Sequence, residues 1–296
     1  MKTPPTLLLI GADGQVGWEL QRTLAPLGRV VRATLDGRWE QAVNLADAES
    51  LARLVRATQP DAVINAAAYT AVDKAESEPD LAQRVNGDAP GLLGRLLAER
   101  RVPVIHYSTD FVFSGEAEHP YREDDEPRPI NVYGATKLDG ENRLLDSGAP
   151  ALILRTSWVY GRYGQNFLLT MQRLLRERDE LKVVDDQIGA PTWARLLAEV
   201  SAQLLYRILR GDIDPRTQGG LFHVTGGGQT SWWGFARAIQ EASGLNCRLL
   251  PIPSRDYPSP AKRPAYSVLD NGRLREVFGL ALPGWEESLA QCLAEA

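Results

Sequence analysis

Residues 6–17 read Thr6-Leu7-Leu8-Leu9-Ile10-Gly11-Ala12-Asp13-Gly14-Gln15-Val16-Gly17, an unbroken apolar run that ends on a glycine-rich turn. A short apolar run without alternation is the pattern of a strand covered on both faces, as in a parallel sheet. Residues 16–27 then carry apolar side chains at helical spacing. Strand, glycine turn and helix in succession make an anion site. The glycines let backbone amides come close to a phosphate, and the helix N-terminus adds partial positive charge. The spacing Gly11-x-x-Gly14-x-x-Gly17 is one residue longer at its first gap than the common dinucleotide fingerprint. A tight turn alone would also use glycines. The strand before and the helix after favour nucleotide binding, with Gly11, Gly14, Gln15, Val16 and Gly17 as the contacts.

The chain beyond repeats the alternation. Val30-Val31 opens a second strand, followed by Arg32, Asp36 and Arg38. An acid at the strand end would grip ribose hydroxyls, whereas arginines suit a 2′-phosphate, and this order favours NADPH over NADH. Residues 47–58 form an amphipathic helix with Asp47 as N-cap and Pro60 past its end. Ala62-Val63-Ile64-Asn65 is a third buried strand, running into the small residues Ala66, Ala67 and Ala68 before Tyr69. Residues 72–100 are helical with a break near Pro79. Residues 102–107 are a fourth strand, ending in Ser108-Thr109-Asp110. His106 within it reads as a packed core histidine. Ligands of open α/β sheets sit beyond the carboxyl ends of the strands, which singles out those hydroxyls. Residues 151–155 give one more strand.

Tyr133 and Lys137 stand four apart on a predicted helix. Side chains at that spacing share a face. A cation beside a phenol favours the phenolate, drawing its pKa down from about 10 toward neutrality, where acid–base catalysis is most effective. A solvated helix face has the same spacing, so the pair gains its meaning from the nucleotide-binding half around it.

Composition narrows the classes. The chain has 296 residues, 44% hydrophobic and 24% charged, with a net charge of −5. That is an ordinary globular balance with room for about two domains. No basic cluster points to nucleic acid, and no apolar run approaches the ~18 residues that would point to a membrane span. Cys247 and Cys292 match no metal or redox spacing. With no signal peptide read at the N-terminus, a cytoplasmic location is expected.

In the second half, residues 163–176 and 193–210 read as helices and 211–220 as an exposed loop. Residues 221–224 form a strand, and Thr230 or Ser231 caps a helix through Ala242. Trp232, Trp233 and Phe235 read as core aromatics. Residues 251–264 hold five prolines, a semi-rigid loop able to close over a substrate. The expectation is an α/β fold: a Rossmann-like doubly wound parallel sheet over 1–160, and a smaller mixed α/β substrate domain over 161–296, with some chain exchange between them.

Taken in order, Gly11-x-x-Gly14-x-x-Gly17, Asn65-Ala66-Ala67, Ser108-Thr109-Asp110 and Tyr133-x-x-x-Lys137 resemble the extended short-chain dehydrogenases/reductases. Residues 14–20, 66–73, 155–160, 186–192 and 262–264 are similar to one branch, the dTDP-4-dehydrorhamnose reductases of bacterial rhamnose synthesis. The resemblance covers nearly the whole chain. It implies NAD(P)H-dependent reduction of the 4-keto group of dTDP-4-dehydro-L-rhamnose, with Thr109, Tyr133 and Lys137 as the catalytic trio. It implies cofactor contacts from the glycine turn, Asn44, Ala66, Ala67 and Tyr69 as well as Tyr133 and Lys137. It also implies sugar-nucleotide contacts from Thr109, Asp110, Trp158, Gln187, Thr192 and Arg263, the last gripping a diphosphate. Asn44 stands where the branch usually has an aspartate. Some relatives dimerise through a magnesium ion held by glutamates. Glu19 matches one such position and Arg195 replaces another, which speaks against a metal-bridged dimer; a homodimer and a dependence on magnesium both stay open. Two other readings remain: an epimerase or dehydratase on the same scaffold, and a non-catalytic nucleotide-binding regulatory subunit. The hydrophobic Phe111-Val112-Phe113 after Thr109-Asp110 argues against a dehydratase, which places a glutamate there.

Overall fold

The sheet is built outward from the apolar run of residues 6–10. The computed structural model describes residues 3–295. Strand β1 is Thr6–Ile10, followed by helix α1, Gln15–Leu24, β2, Arg29–Thr34, and β3, Gln41–Ala42. Helix α2, Ala48–Thr58, starts from Asp47, whose carboxylate accepts the Glu49 N–H. Strands β4, Ala62–Asn65, β5, Val104–Thr109, and β6, Ala151–Thr156, follow. With the strand Gly220–His223 they form one seven-stranded sheet, ordered Gly220–His223, β6, β5, β4, β1, β2, β3. All its pairings are parallel.

Residues of alternate parity feed two cores, as the pleat requires. Leu7, Leu9, Ile64, Ile105 and Leu152 pack with Leu20 and Leu24 of α1 and with Leu197, Leu204 and Leu205 of the Ala194–Arg210 helix. Leu8, Ile10, Val63, Val104 and Ile153 pack on the other side with Leu51, Leu54 and Val55 of α2 and with Leu93 and Leu97. Two segments from beyond residue 160 therefore belong to this layer: the strand Gly220–His223 and the Ala194–Arg210 helix. A third core gathers Tyr160, Leu175, Val183, Phe235 and Trp285. There the strands Glu180–Val184 and Arg248–Ile252 pair in parallel. Among the described residues, no helix is long and apolar enough to cross a membrane.

Several boundaries move for identifiable reasons. The helix expected from residue 163 begins at Phe167, because Asn166 caps it by accepting the Leu169 N–H. Ser231, not Thr230, caps the Trp232–Ser243 helix. Residues 72–100 divide into Val72–Ala75, Pro79–Ala82, a π-helical turn Gln83–Asp88, and Ala89–Ala98.

Candidate active site

A cavity of about 730 Å³ opens at the carboxyl ends of β1, β4 and β5. Gly11, Gly14, Gln15, Val16, Asn44, Ala66, Ala67, Tyr69, Tyr133 and Lys137 all line it, together with Thr34, Ser108 and Thr156. Its size suits a small-molecule cofactor.

The glycine turn has a separate reason at each position. Gly11 has φ +81°, and a Cβ there would lie 2.6 Å from the Ala67 nitrogen, so the turn and the Ala66–Ala67 backbone meet only because Gly11 has no side chain. A Cβ on Gly17 would lie 1.9 Å from the Gly11 carbonyl oxygen. Gly17 therefore closes the turn against α1 and is absent from the cavity wall. Gly14 is exposed at the start of α1, where a Cβ would meet only ordinary contacts, 3.4 Å from the Gly11 carbonyl oxygen. The turn thus leaves room for a phosphate at the helix N-terminus.

The opposite wall is held from beneath. Asn86, from the π-helical turn, accepts the Tyr69 N–H at 2.8 Å and donates to the Tyr69 carbonyl at 3.0 Å. The Tyr69 hydroxyl donates to Glu78 at 2.8 Å. Asn44 turns its side-chain oxygen to the Ala46 N–H at 3.0 Å, which shapes the loop at the far end of the cavity. Two hydroxyls on the wall, Ser108 and Thr156, are buried without a partner among the described residues. Such groups are costly unless a ligand or water satisfies them. Cradle, helix terminus and orphaned hydroxyls together fit a dinucleotide. Arg32 is paired with Glu40 at 2.7 Å and Arg38 with Asp36 at 2.7 Å, so the arginine within β2 and the one after it are both already engaged by carboxylates.

Tyr133 and Lys137 come from the helix Val132–Asp146, whose N-cap Asn131 accepts the Gly134 N–H. The Tyr133 hydroxyl lies near the Thr109 side chain, and Thr109 donates to buried Asp110 at 3.0 Å. Burial pushes the Tyr133 phenol up to about 12, the nearby Thr109 hydroxyl opposes this, and the nearby Asp110 charge adds to it. The expected lowering by Lys137 is absent, and the geometry says why. The Lys137 ammonium donates to the Tyr107 carbonyl at 2.6 Å and lies 3.3 Å from His106 Nε2. Its own pKa is pulled down to about 8 by burial, against the attraction of Glu141. Burial also raises Asp110 to about 7, against the opposing influence of the nearby Ser267 and Thr109 hydroxyls.

The remaining sugar-nucleotide candidates divide. Trp158 has φ +44°, a conformation rare for a bulky residue. It is held there by a stack on Trp232 with ring centroids 3.5 Å apart, and by Gly189, which leaves no space for a Cβ against the ring. Gln187 donates to Ser254 at 2.9 Å. Arg263 pairs with Asp73 at 2.8 Å. The Lys262 carbonyl accepts from Asn131 at 2.8 Å. These bonds anchor residues 254–263 at both ends. Thr192 is a correction. It is fully buried, its hydroxyl donates to the Ala190 carbonyl and it accepts the Gly226 N–H, which leaves it inside the fold.

Sequence reasoning passed over Asn86, and over a buried ion pair beneath the site. Arg155 Nε and Nη2 donate to the two Glu141 oxygens at 2.8 and 2.6 Å, joining β6 to the Tyr133 helix. Spacing within one element gives no sign of such a pair.

The magnesium position of the relatives is filled differently here. Arg195 Nε donates to Glu19 at 3.1 Å, and its Nη1 contacts the Glu295 carboxylate. Arg22 lies 3.6 Å from Glu19 and 3.5 Å from Glu199. A guanidinium already neutralises these carboxylates, and a hard divalent ion needs oxygen ligands instead. The residues present do not fit magnesium.

A family model described as the RmlD substrate binding domain matches residues 5–296. The dTDP-4-dehydrorhamnose reductase of Burkholderia thailandensis is 47% identical, with 98% of each chain covered. That of Escherichia coli K12 is 42% identical over 98% of this chain and 97% of its own. A crystal structure of the Bacillus anthracis dTDP-4-dehydrorhamnose reductase in complex with NADP superposes with a TM-score of 0.89 at 32% identity, over 99% of this chain and all of the other.

Proposed function

The chain belongs to the family of the RmlD substrate binding domain, and from that premise we infer that it reduces the 4-keto group of dTDP-4-dehydro-L-rhamnose, giving dTDP-L-rhamnose, with NADPH or NADH as reductant. The carrying observation is that Tyr133 and Lys137 line a cavity together with the Gly11–Gly14 turn, with Thr109 near the Tyr133 hydroxyl. The bound nicotinamide supplies a hydride to C4 of the sugar. As that bond forms, the carbonyl π electrons move onto oxygen, and Tyr133 gives its proton to that oxygen. A phenol raised to about 12 is fully protonated at neutral pH, the state a proton donor needs. Thr109 steadies the same oxygen with a hydrogen bond. Lys137, a buried cation on the cavity wall, holds the nicotinamide ribose. Gly11, Gly14, Gln15, Val16, Asn44, Ala66, Ala67 and Tyr69 hold the rest of the cofactor. Asp110 fixes Thr109, while Trp158, Gln187 and Arg263 face the nucleotide-sugar. Arg263 would exchange Asp73 for a diphosphate, the stronger bidentate partner. A cytoplasmic location and a homodimer without a bridging metal complete this reading, the latter supported by Arg195 standing among the carboxylates.

The test is oxidation of NADPH or NADH, followed by absorbance, with dTDP-4-dehydrorhamnose as substrate. Substrate-dependent oxidation is expected, and chelation by EDTA should change neither rate nor Tm. No oxidation despite tight cofactor binding would favour a regulatory subunit. A rate lost to EDTA and restored by magnesium would overturn the metal-free reading.

A further inference from the structure

His106 is 1% exposed, with both ring nitrogens in polar contact. Its Nε2 lies 3.3 Å from Lys137 Nζ and its Nδ1 lies 3.1 Å from the Asn65 side-chain amide. Strand register sets this up: β4 and β5 pair Asn65 with His106. The other end of the Asn65 amide is 3.3 Å from the Ala67 N–H, on the cofactor cavity. A buried line of polar groups thus runs from the cavity floor at Ala67, through Asn65 and His106, to Lys137. A leucine would fill the same space without the cost of burying a polar ring.

We propose that His106 is a positioning residue for Lys137, accepting one ammonium proton at Nε2 so that Lys137 is aimed at the cofactor; this rests on the reductase reading above. An ammonium has three protons to donate. The Tyr107 carbonyl takes one, His106 takes the second, and the third is left for the cavity that Lys137 lines. A ring that accepts at Nε2 and is neutral carries its proton on Nδ1, which must then meet the Asn65 oxygen. A half-turn of the amide presents that oxygen. The same half-turn sets the amide NH2 against the Ala67 N–H, donor facing donor about 3.3 Å apart, so it is favoured when the cofactor takes the Ala67 N–H. Binding at Ala67 and the hold on Lys137 are therefore linked. The charged or titratable groups around Lys137 are His106 from β5, Tyr133 and Glu141 on its own helix, and Arg155 from β6. Arg155 is tied to Glu141 by two bonds.

The experiment compares His106→Leu with His106→Gln, whose amide keeps an acceptor near the Nε2 position. In His106→Leu the KM for NADPH should rise about tenfold, the order expected for losing one hydrogen bond to a charged group, while the KM for the sugar changes little. The alkaline limb of kcat/KM should move to lower pH, because the ammonium loses a bond that favours it. His106→Gln should restore both. Lower Tm with unchanged NADPH KM and unchanged alkaline limb would reduce His106 to packing and overturn the proposal. A measurement that needs no variant is 15N NMR of the NADP⁺ complex, in a chain with three histidines. It should find His106 protonated on Nδ1; protonation on Nε2 would overturn the proposal. If the wild type oxidises no cofactor, the reductase reading fails instead, independently of these results.

Discussion

Tyr133→Phe should bind NADPH with near-wild-type affinity yet turn over ~10²–10⁴-fold more slowly, the usual value of a positioned proton donor. The ring survives the substitution, and with it the edge contact to Phe111 at 5.7 Å between centroids. Only the hydroxyl that lies near Thr109 is removed. The sugar oxygen then gathers charge with no proton to receive, so the loss belongs in kcat and not in the binding of either ligand. Lys137→Ala should differ in kind, raising the NADPH KM as well as lowering the rate. Stopped-flow absorbance and fluorescence titration separate the two effects. A Phe variant within about threefold of wild-type kcat would remove Tyr133 from the chemistry.

Glu141→Ala should be the most destabilising single change near the site, by about 3–5 kcal/mol, the cost of leaving one partner of a buried ion pair uncompensated. The Arg155 and Glu141 side chains are 2% and 1% exposed. Without Glu141, Arg155 would keep only the face of Phe113, 5.1 Å from its guanidinium carbon. Solvent has no route to that charge. For a chain of this size the drop in Tm is on the order of 10 °C. The double variant Glu141→Ala/Arg155→Leu should recover part of the loss, because a buried charge costs more than the pair contributes. Thermal melts of the three proteins decide it, and a single variant within about 1 kcal/mol of wild type would contradict the burial argument.

What could be read from the sequence was local. The apolar run 6–10 and the glycines after it forecast β1, the turn and α1, because each rests on neighbours in the chain. Asp47 and Ser231 announced their helices for the same reason. The four-residue spacing brought Tyr133 and Lys137 to one cavity. Tertiary partners were hidden. Whether Lys137 acts electrostatically on Tyr133 depends on the Tyr107 carbonyl and His106, which belong to a strand some thirty residues earlier. Burial of Thr192 depends on Gly226 folding back over it. The stack of Trp158 on Trp232 joins two motifs that read separately as a ligand contact and as core. Asn86 sits in a π-helical turn, where no helical period marks its face.

The most direct test of the account follows the transferred hydrogen. Turnover of dTDP-4-dehydrorhamnose with a nicotinamide cofactor deuterated at its transferable position should place deuterium at C4 of the sugar, with one cofactor oxidised per sugar formed. Product that forms with the cofactor recovered in its starting redox state, or with no deuterium at C4, would contradict the assignment and point to an epimerase on the same scaffold.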